Sequence, residues 1–338
     1  MTIKLIAISD LHQGNPVSLP RNIRVVPQEK LIRNLIQRKP DVILIAGDLQ
    51  DYMWNLGVEK NHSTQIKGHI KNDGVLKALN NGSVPVFFVW GNTDVMDFEK
   101  DNIYQDTPIT DELREWFCDE FQNFHDCHKN ICYIKNIPIL GYADANKTTD
   151  DHSGKCWDEP AIQKDFEKLL QDLSPDERHN TIFMTHCAPR GVLDFSSLGS
   201  RHIGSYYLRE LIETYQPILS IFGHVHYCGG YSEFIGKTQC INVSSFGPVV
   251  SHEILFGQSS FELQIDSAYQ VCSTKMIVSH FWEKKLKRAF VEYRHCQVCG
   301  RHTPFARKQF KTCRVCLGAR RLSETAPQYS NERNNSKG

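Results

Sequence analysis

No apolar run in this 338-residue chain approaches the roughly 18 residues that a membrane-spanning helix needs, which argues against a membrane partner. No export signal is expected either, since Met1-Thr2-Ile3-Lys4-Leu5-Ile6 runs straight into a strand-like segment. A cytoplasmic location is therefore expected, with most of the 12 cysteines as reduced thiols. Cys118, Cys127, Cys132, Cys156, Cys187, Cys228, Cys240 and Cys272 stand without ligand spacing and read as ordinary core or surface thiols. No internal repeat is found. Net charge is absent as well, at 39 basic against 39 acidic residues, but the balance hides a split. Residues 283–338 carry 14 Lys and Arg against 4 Asp and Glu, and the remainder carries 25 against 35. A basic appendage of this kind seeks an anionic partner, nucleic acid or protein, or tethers to the acidic body of its own chain.

What is present begins with ordinary globular composition, 40% hydrophobic and 23% charged. Ile3–Ser9, Val42–Ala46, Val84–Trp90, Thr181–Thr185 and Ile218–Phe222 are short apolar runs and read as buried strands. Between them Glu29–Arg38, Gly74–Leu79, Asp111–Phe121, Ala161–Leu170 and Tyr206–Tyr215 read as helices, the last ended by Pro217. Ile131–Tyr142 reads as a hairpin, and Thr238–Val243 and Phe261–Ile265 as further strands. Alternating strands and helices followed by strands predict an α/β sandwich. Met276–Phe290 is amphipathic with a basic far side and reads as a linker helix.

Seven side chains of metal-ligand type stand at the ends of the apolar runs: Asp10 and His12, Asp48, Asn92, His186, then His224 and His226. Gly precedes three of these groups, at Gly47-Asp48, Gly91-Asn92 and Gly223-His224. Oxygen and imidazole donors in this mixture suit hard or borderline divalent ions. Two such ions about 3.5–4 Å apart form a clamp for in-line attack on phosphorus.

In order, Asp10-Leu11-His12, Gly47-Asp48, Gly91-Asn92-Thr93-Asp94, His186 and Gly223-His224-Val225-His226 resemble the D-x-H, G-D, G-N-H-(D/E), H and G-H-x-H series of the calcineurin-like metallophosphoesterases, over roughly residues 1–270. Thr185–Gly191, Gly204–Leu211 and Tyr215–Leu219 look like the Icc-related phosphohydrolase branch of that superfamily. The resemblance implies a four-layer α-β-β-α sandwich and a binuclear, metal-dependent phosphoric ester hydrolase acting on phosphodiester or nucleotide-like bonds. It further implies that Asp10, His12 and His226 hold one ion, that Asn92, His186 and His224 hold the other, and that Asp48 and a hydroxide bridge them. Asp48, Asn92 and His186 then form the catalytic centre. Mn, Fe, Zn or Ni would satisfy these donors, with Mn favoured. Thr93 departs from the family pattern, which has His there. Threonine can donate a hydrogen bond but is no proton source near pH 7, so substrates with good leaving groups are expected.

Asn15, Thr93, Arg190 and His202 are candidate substrate contacts, Asn15, Arg190 and His202 being equally readable as turn or loop residues. Tyr227 and His252 are weaker candidates. His125-Asp126-Cys127-His128 tempts a further metal site but reads as a turn, and His62 and His69 read as surface loop. Cys296-x2-Cys299 and Cys313-x2-Cys316 are different: two thiolate knuckles in a reducing compartment predict one structural zinc. The expected organisation is a main domain over 1–272, a basic linker helix over 273–293, a zinc-ribbon-like module over 294–318 and a disordered tail over 319–338. Basic residues interleaved with the knuckles, such as Arg294, Arg301, Arg307 and Lys308, would suit a nucleic-acid backbone. That gives two alternatives to a small-substrate phosphoesterase: a nuclease gripping DNA or RNA through its tail, and a non-catalytic scaffold whose metal face binds a protein.

Overall fold

The computed structural model describes residues 2–11, 28–49, 63–92, 94, 111–143, 145–146, 156–157, 159–196, 201–244, 249–250, 253–254, 259–278, 292–295 and 302–305. Its main strands are β1 (Ile3–Ile8), β2 (Val42–Ala46), β3 (Val86–Val89), β4 (Phe124–Asp126), β5 (Ile131–Ile134), β6 (Ile137–Tyr142), β7 (Ile182–Thr185), β8 (Leu219–Phe222), β9 (Tyr231–Ile235), β10 (Thr238–Asn242), β11 (Ser259–Ile265) and β12 (Val271–Val278). The helices are α1 (Gln28–Gln37), α2 (Ser63–Asn72), α3 (Gly74–Asn80), α4 (Asp111–Glu120), α5 (Glu159–Gln171), α6 (Pro175–His179) and α7 (Tyr206–Tyr215). One six-stranded sheet has the order β12-β11-β1-β2-β3-β4 and the other β9-β10-β8-β7-β6-β5. Within the first, β1 to β4 run parallel. Within the second, β6, β7, β8 and β10 do.

Alternation along each strand builds the layers. Ile3, Leu5 and Ala7 of β1 join Ile139, Ile182, Met184, Leu219 and Ile221 of the opposite sheet in one apolar cluster, so the sheets pack face to face. Ile6 and Ile8, on the other face of β1, pack with Leu31, Leu35, Leu76 and Phe117 from α1, α3 and α4. Phe183 and Phe222 face away from the shared core, towards Ile162, Phe166, Leu208 and Ile212 of α5 and α7. The expected helix–sheet–sheet–helix layering follows from these three clusters. Central strands with helices or a sheet on both faces explain why the runs were continuously apolar.

Phe117 sits amid four other rings, with centroids 5.5 Å from Phe88, 5.0 Å from Trp90, 4.8 Å from Phe121 and 5.4 Å from Phe124. Its side chain is fully buried. Phe117→Ala should therefore lower unfolding free energy by about 3–5 kcal/mol, read from urea denaturation. A change under about 1 kcal/mol would show that this cluster does not hold the outer helix.

Several expectations need correction. His69, read as surface loop, lies in α2, whose only apolar spacing signal is Ile66 and Ile70 around Gly68. His62 falls outside the described residues. The stretch read as a turn at 125–128 begins in β4, at His125 and Asp126, and continues to His128, which bridges to Gly141; its groups serve packing. Asp126 Oδ2 accepts from Trp90 Nε1 at 2.9 Å and Arg114 Nε at 2.6 Å, while His128 Nδ1 accepts the Ala143 N–H at 2.8 Å. The expected linker helix begins as strand instead, since Met276–Val278 pair with Ser259–Phe261 at the end of β12. Residues 279–291 lie outside the described set. Beyond them Glu292–His295 and His302–Phe305 form an antiparallel ladder. Cys296, Cys299, Cys313 and Cys316 fall outside the described residues. Among the described residues no helix is long and apolar enough to cross a membrane.

Candidate metal centre

Parallel strands carry the candidate ligands to one edge. Asp10, Asp48 and Asn92 follow the carboxyl ends of β1, β2 and β3, and His186 and His224 follow those of β7 and β8. Because the two sheets pack face to face, residues 214 positions apart meet: the His224 N–H donates to Asp10 at 3.2 and 3.3 Å. Donor atoms of Asp10, Asp48 and His186 lie within 4.8 Å of one another, and all three residues are buried.

His186 is the centre of this cluster. Its Nδ1 lies 2.8 Å from the Ala46 carbonyl, its Nε2 is 2.9 Å from Asn92 Oδ1, and Nε2 is 3.3 Å from Asp48 Oδ2. A backbone carbonyl can only accept, so Nδ1 carries a proton and Nε2 faces the site. Nε2 and two oxygens then converge on one point, where a proton on Nε2 or a metal cation in its place can sit between them. Electrostatics agree. Burial disfavours a charged His186, but the carboxylates of Asp48 and Asp10 with the Ala46 carbonyl overcome it and raise its pKa to about 10. Burial likewise works against the Asp10 carboxylate, yet His226, 2.8 Å away, and the more distant His186 hold it down at about 2. His226, whose side chain is 38% exposed, is pushed up, its partial desolvation being outweighed by the Asp10 and Asp48 carboxylates. An ionised carboxylate beside imidazoles drawn towards positive charge suits divalent cations. The residues present fit a metal.

Local backbone geometry is bent to make this convergence. Asp10, Asp48 and His224 take φ values of 55°, 51° and 64°, a left-handed region that L residues adopt at a cost of roughly 1–2 kcal/mol each. The glycines before two ligands have a steric reason. A Cβ on Gly91 would lie 2.7 Å from Asp48 Cγ and closer still to its Oδ1. One on Gly223 would lie 2.5 Å from Asp10 Oδ2 and 2.9 Å from Ser9 Cβ. Each glycine thus makes room for the ligand of another motif.

Some contributors were not legible in the sequence. Ser9 donates to the Ala46 and Gly47 carbonyls at 2.8 and 3.2 Å, tying the β1 and β2 termini together. Asp94 accepts the Gly91 N–H at 2.6 Å, closing the turn that presents Asn92. Asn242 is fully buried and donates to the Leu193 and Val225 carbonyls, each at 3.2 Å, bracing the loop between His224 and His226. Of these only the Asp94 position belonged to a recognised motif.

The remaining candidates divide. Arg190 Nη1 donates to the His202 carbonyl at 2.5 Å, and His202 Nδ1 lies 2.5 Å from the buried Asp194. These two therefore belong to one braced loop after His186. His12, Asn15, Thr93 and His252 lie outside the described residues, and the Tyr227 side chain is also outside them.

Comparison with known proteins places the chain in a family. The model of the calcineurin-like phosphoesterases matches residues 3–228, which is most of the chain. One solved structure, at 16% identity, covers 82% of this chain and 99% of its own, with a TM-score of 0.54. TT1561 of Thermus thermophilus is 14% identical over the same shares, with a TM-score of 0.49. The purple acid phosphatase PPD1 of yellow lupin is 15% identical, covering 82% of this chain and 54% of that one at a TM-score of 0.42. No curated protein matches the sequence. At such identities the structural likeness concerns fold alone. The family match spans the strand termini from Asp10 to His226 that form the cluster, and the chain belongs to the calcineurin-like phosphoesterases, metal-dependent hydrolases of phosphoric esters.

Proposed function

We propose that the protein hydrolyses phosphodiester or nucleotide-like phosphate bonds using two divalent cations. In this reading Asp10, His12 and His226 would hold one cation and Asn92, His186 and His224 the other, with the Asp48 carboxylate contributing beside both. The observation that carries it is the convergence of Asp10, Asp48 and His186 donor atoms, with Asn92 and His226 against them. Paired cations supply Lewis acidity at the phosphoryl oxygens and lower the pKa of water.

The chain's own residues do the rest by holding donors in place. The Ala46 carbonyl keeps His186 in the tautomer whose Nε2 faces the site. The His224 N–H and the His226 ring orient the Asp10 carboxylate. Asp94 holds the turn bearing Asn92. Thr93 offers no proton near pH 7, so this position does not protonate a departing group, and aryl or phosphoanhydride-like leaving groups should react faster than alkoxides.

The decisive assay uses bis-p-nitrophenyl phosphate. Turnover should vanish with chelator and return with Mn²⁺, and the diester should react faster than a simple alkyl phosphate. Persistent inactivity with Mn, Fe, Zn and Ni across aryl mono- and diesters would sink the proposal.

The charge split favours one further reading, a nuclease whose basic tail holds DNA or RNA. The ladder of Glu292–His295 with His302–Phe305 supports a ribbon framing Cys296 and Cys299, which with Cys313 and Cys316 would bind one structural zinc. Deleting 289–338 should then weaken nucleic-acid binding and cleavage while small aryl esters are still hydrolysed. Parallel loss of both activities, or of neither, removes this reading.

A further inference from the structure

We propose that Arg190 and Tyr206 form a stacking platform selecting substrates that carry a nucleoside on the phosphorus, opposite the leaving group. This rests on the phosphoesterase reading above and adds the substrate class.

The platform is rigid. The Arg190 guanidinium lies 4.7 Å from the Tyr206 ring centroid, and its Nη1 donates to the His202 carbonyl at 2.5 Å. The Arg190 backbone is fixed at both ends, its N–H donating to Ser205 O at 2.8 Å and its carbonyl accepting from Arg209 Nη1 at 2.8 Å. Asp194, fully buried, organises the intervening loop by accepting the Gly191 and Gly204 N–H groups at 3.0 Å each, alongside His202. A planar cation held this way loses little freedom when a ligand arrives. Tyr206 is 53% exposed, so its ring contributes little to the core.

The platform also stands at the right edge. α7 connects parallel strands β7 and β8, so its first residue, Tyr206, lies at the carboxyl end of the strands, where the candidate ligands gather. Arg190 is the fourth residue after His186, a span of at most about 14 Å between their Cα atoms. The two-residue ladder of Phe195–Ser196 with Arg201–His202 packs on the turn His226–Cys228. Asn242 then ties Leu193 of the same loop to Val225 between two candidate ligands.

Exposed aromatic rings recognise nucleobases through their π-faces without reading sequence, worth about 10–100-fold in binding per stacked base. Arg190 retains further N–H donors for a phosphate or base edge, since guanidinium has five. The pair therefore suits a base and phosphate better than an alkyl ester.

Two substrates with one leaving group test this: thymidine 5′-(p-nitrophenyl phosphate) and methyl p-nitrophenyl phosphate. The wild-type kcat/KM ratio should favour the nucleoside by about 10–100-fold. It should fall to about 1–3 in Tyr206→Ala, and Tyr206→Phe should retain it. Calorimetric binding of thymidine 5′-monophosphate should weaken in step, at unchanged thermal midpoint. A wild-type ratio near one, or a ratio untouched by Tyr206→Ala, overturns the platform. Failure of the phosphoesterase reading looks different, with neither ester turned over. Binding alone then decides: loss in Tyr206→Ala upholds the platform, and equal binding overturns it.

Discussion

Asp48→Asn should reduce metal-dependent turnover of bis-p-nitrophenyl phosphate by about 10³-fold or more while leaving the protein folded. Asparagine preserves the shape of the side chain but removes its charge. A neutral amide with one oxygen would be a much weaker donor to cations than the carboxylate it replaces. The same substitution removes a carboxylate only 2% exposed, which folding had to desolvate. It also takes away an attraction that opposes the burial of a charged His186. Thermal unfolding in chelator should therefore stay within a few degrees of wild type, while the stabilisation gained on adding Mn²⁺ largely disappears. Turnover within about threefold of wild type would mean that another centre performs the chemistry.

Gly91→Ala should lose turnover by about 100-fold or more, although it adds one methyl group and no charge. The added Cβ would press on the Asp48 carboxyl carbon at 2.7 Å and crowd its backbone, so either β3 or the Asp48 side chain must shift. Displacements near 1 Å at a catalytic centre are worth about 10²-fold. Gly68→Ala provides the contrast: a Cβ there meets nothing within 4 Å, and the residue lies inside α2. Alanine should leave turnover unchanged and stabilise by about 0.4–1 kcal/mol. The comparison reads kcat/KM and metal binding for both variants. Comparable behaviour of the two would show that glycine before Asn92 has no steric role.

The strand positions were legible because each is covered on both faces, which leaves continuous apolar runs such as Val42–Ala46. The runs were read slightly too long: Val84–Trp90 yields a strand only over Val86–Val89. Helix α2 was missed because Gly68 and a polar surface blur its one apolar stripe. Helix α6 was missed for brevity, although Ser174 and Glu177 form a capping box visible as Ser-Pro-Asp-Glu. At Asp126 and His128 ligand-type side chains lay close in sequence but were committed to Trp90, Arg114 and Ala143.

The amino-acid order by itself determined which donor types stand at strand ends and that glycine precedes several of them. That followed because a parallel strand delivers its next residue to the same edge whatever the loops do. Tertiary structure alone decided how those ends face each other. The His224 N–H on Asp10, the Ala46 carbonyl on His186 and the Asn242 brace all join separate strands across two packed sheets. Spacing along a chain carries no measure of distance through space, so only face-to-face packing brings these groups together.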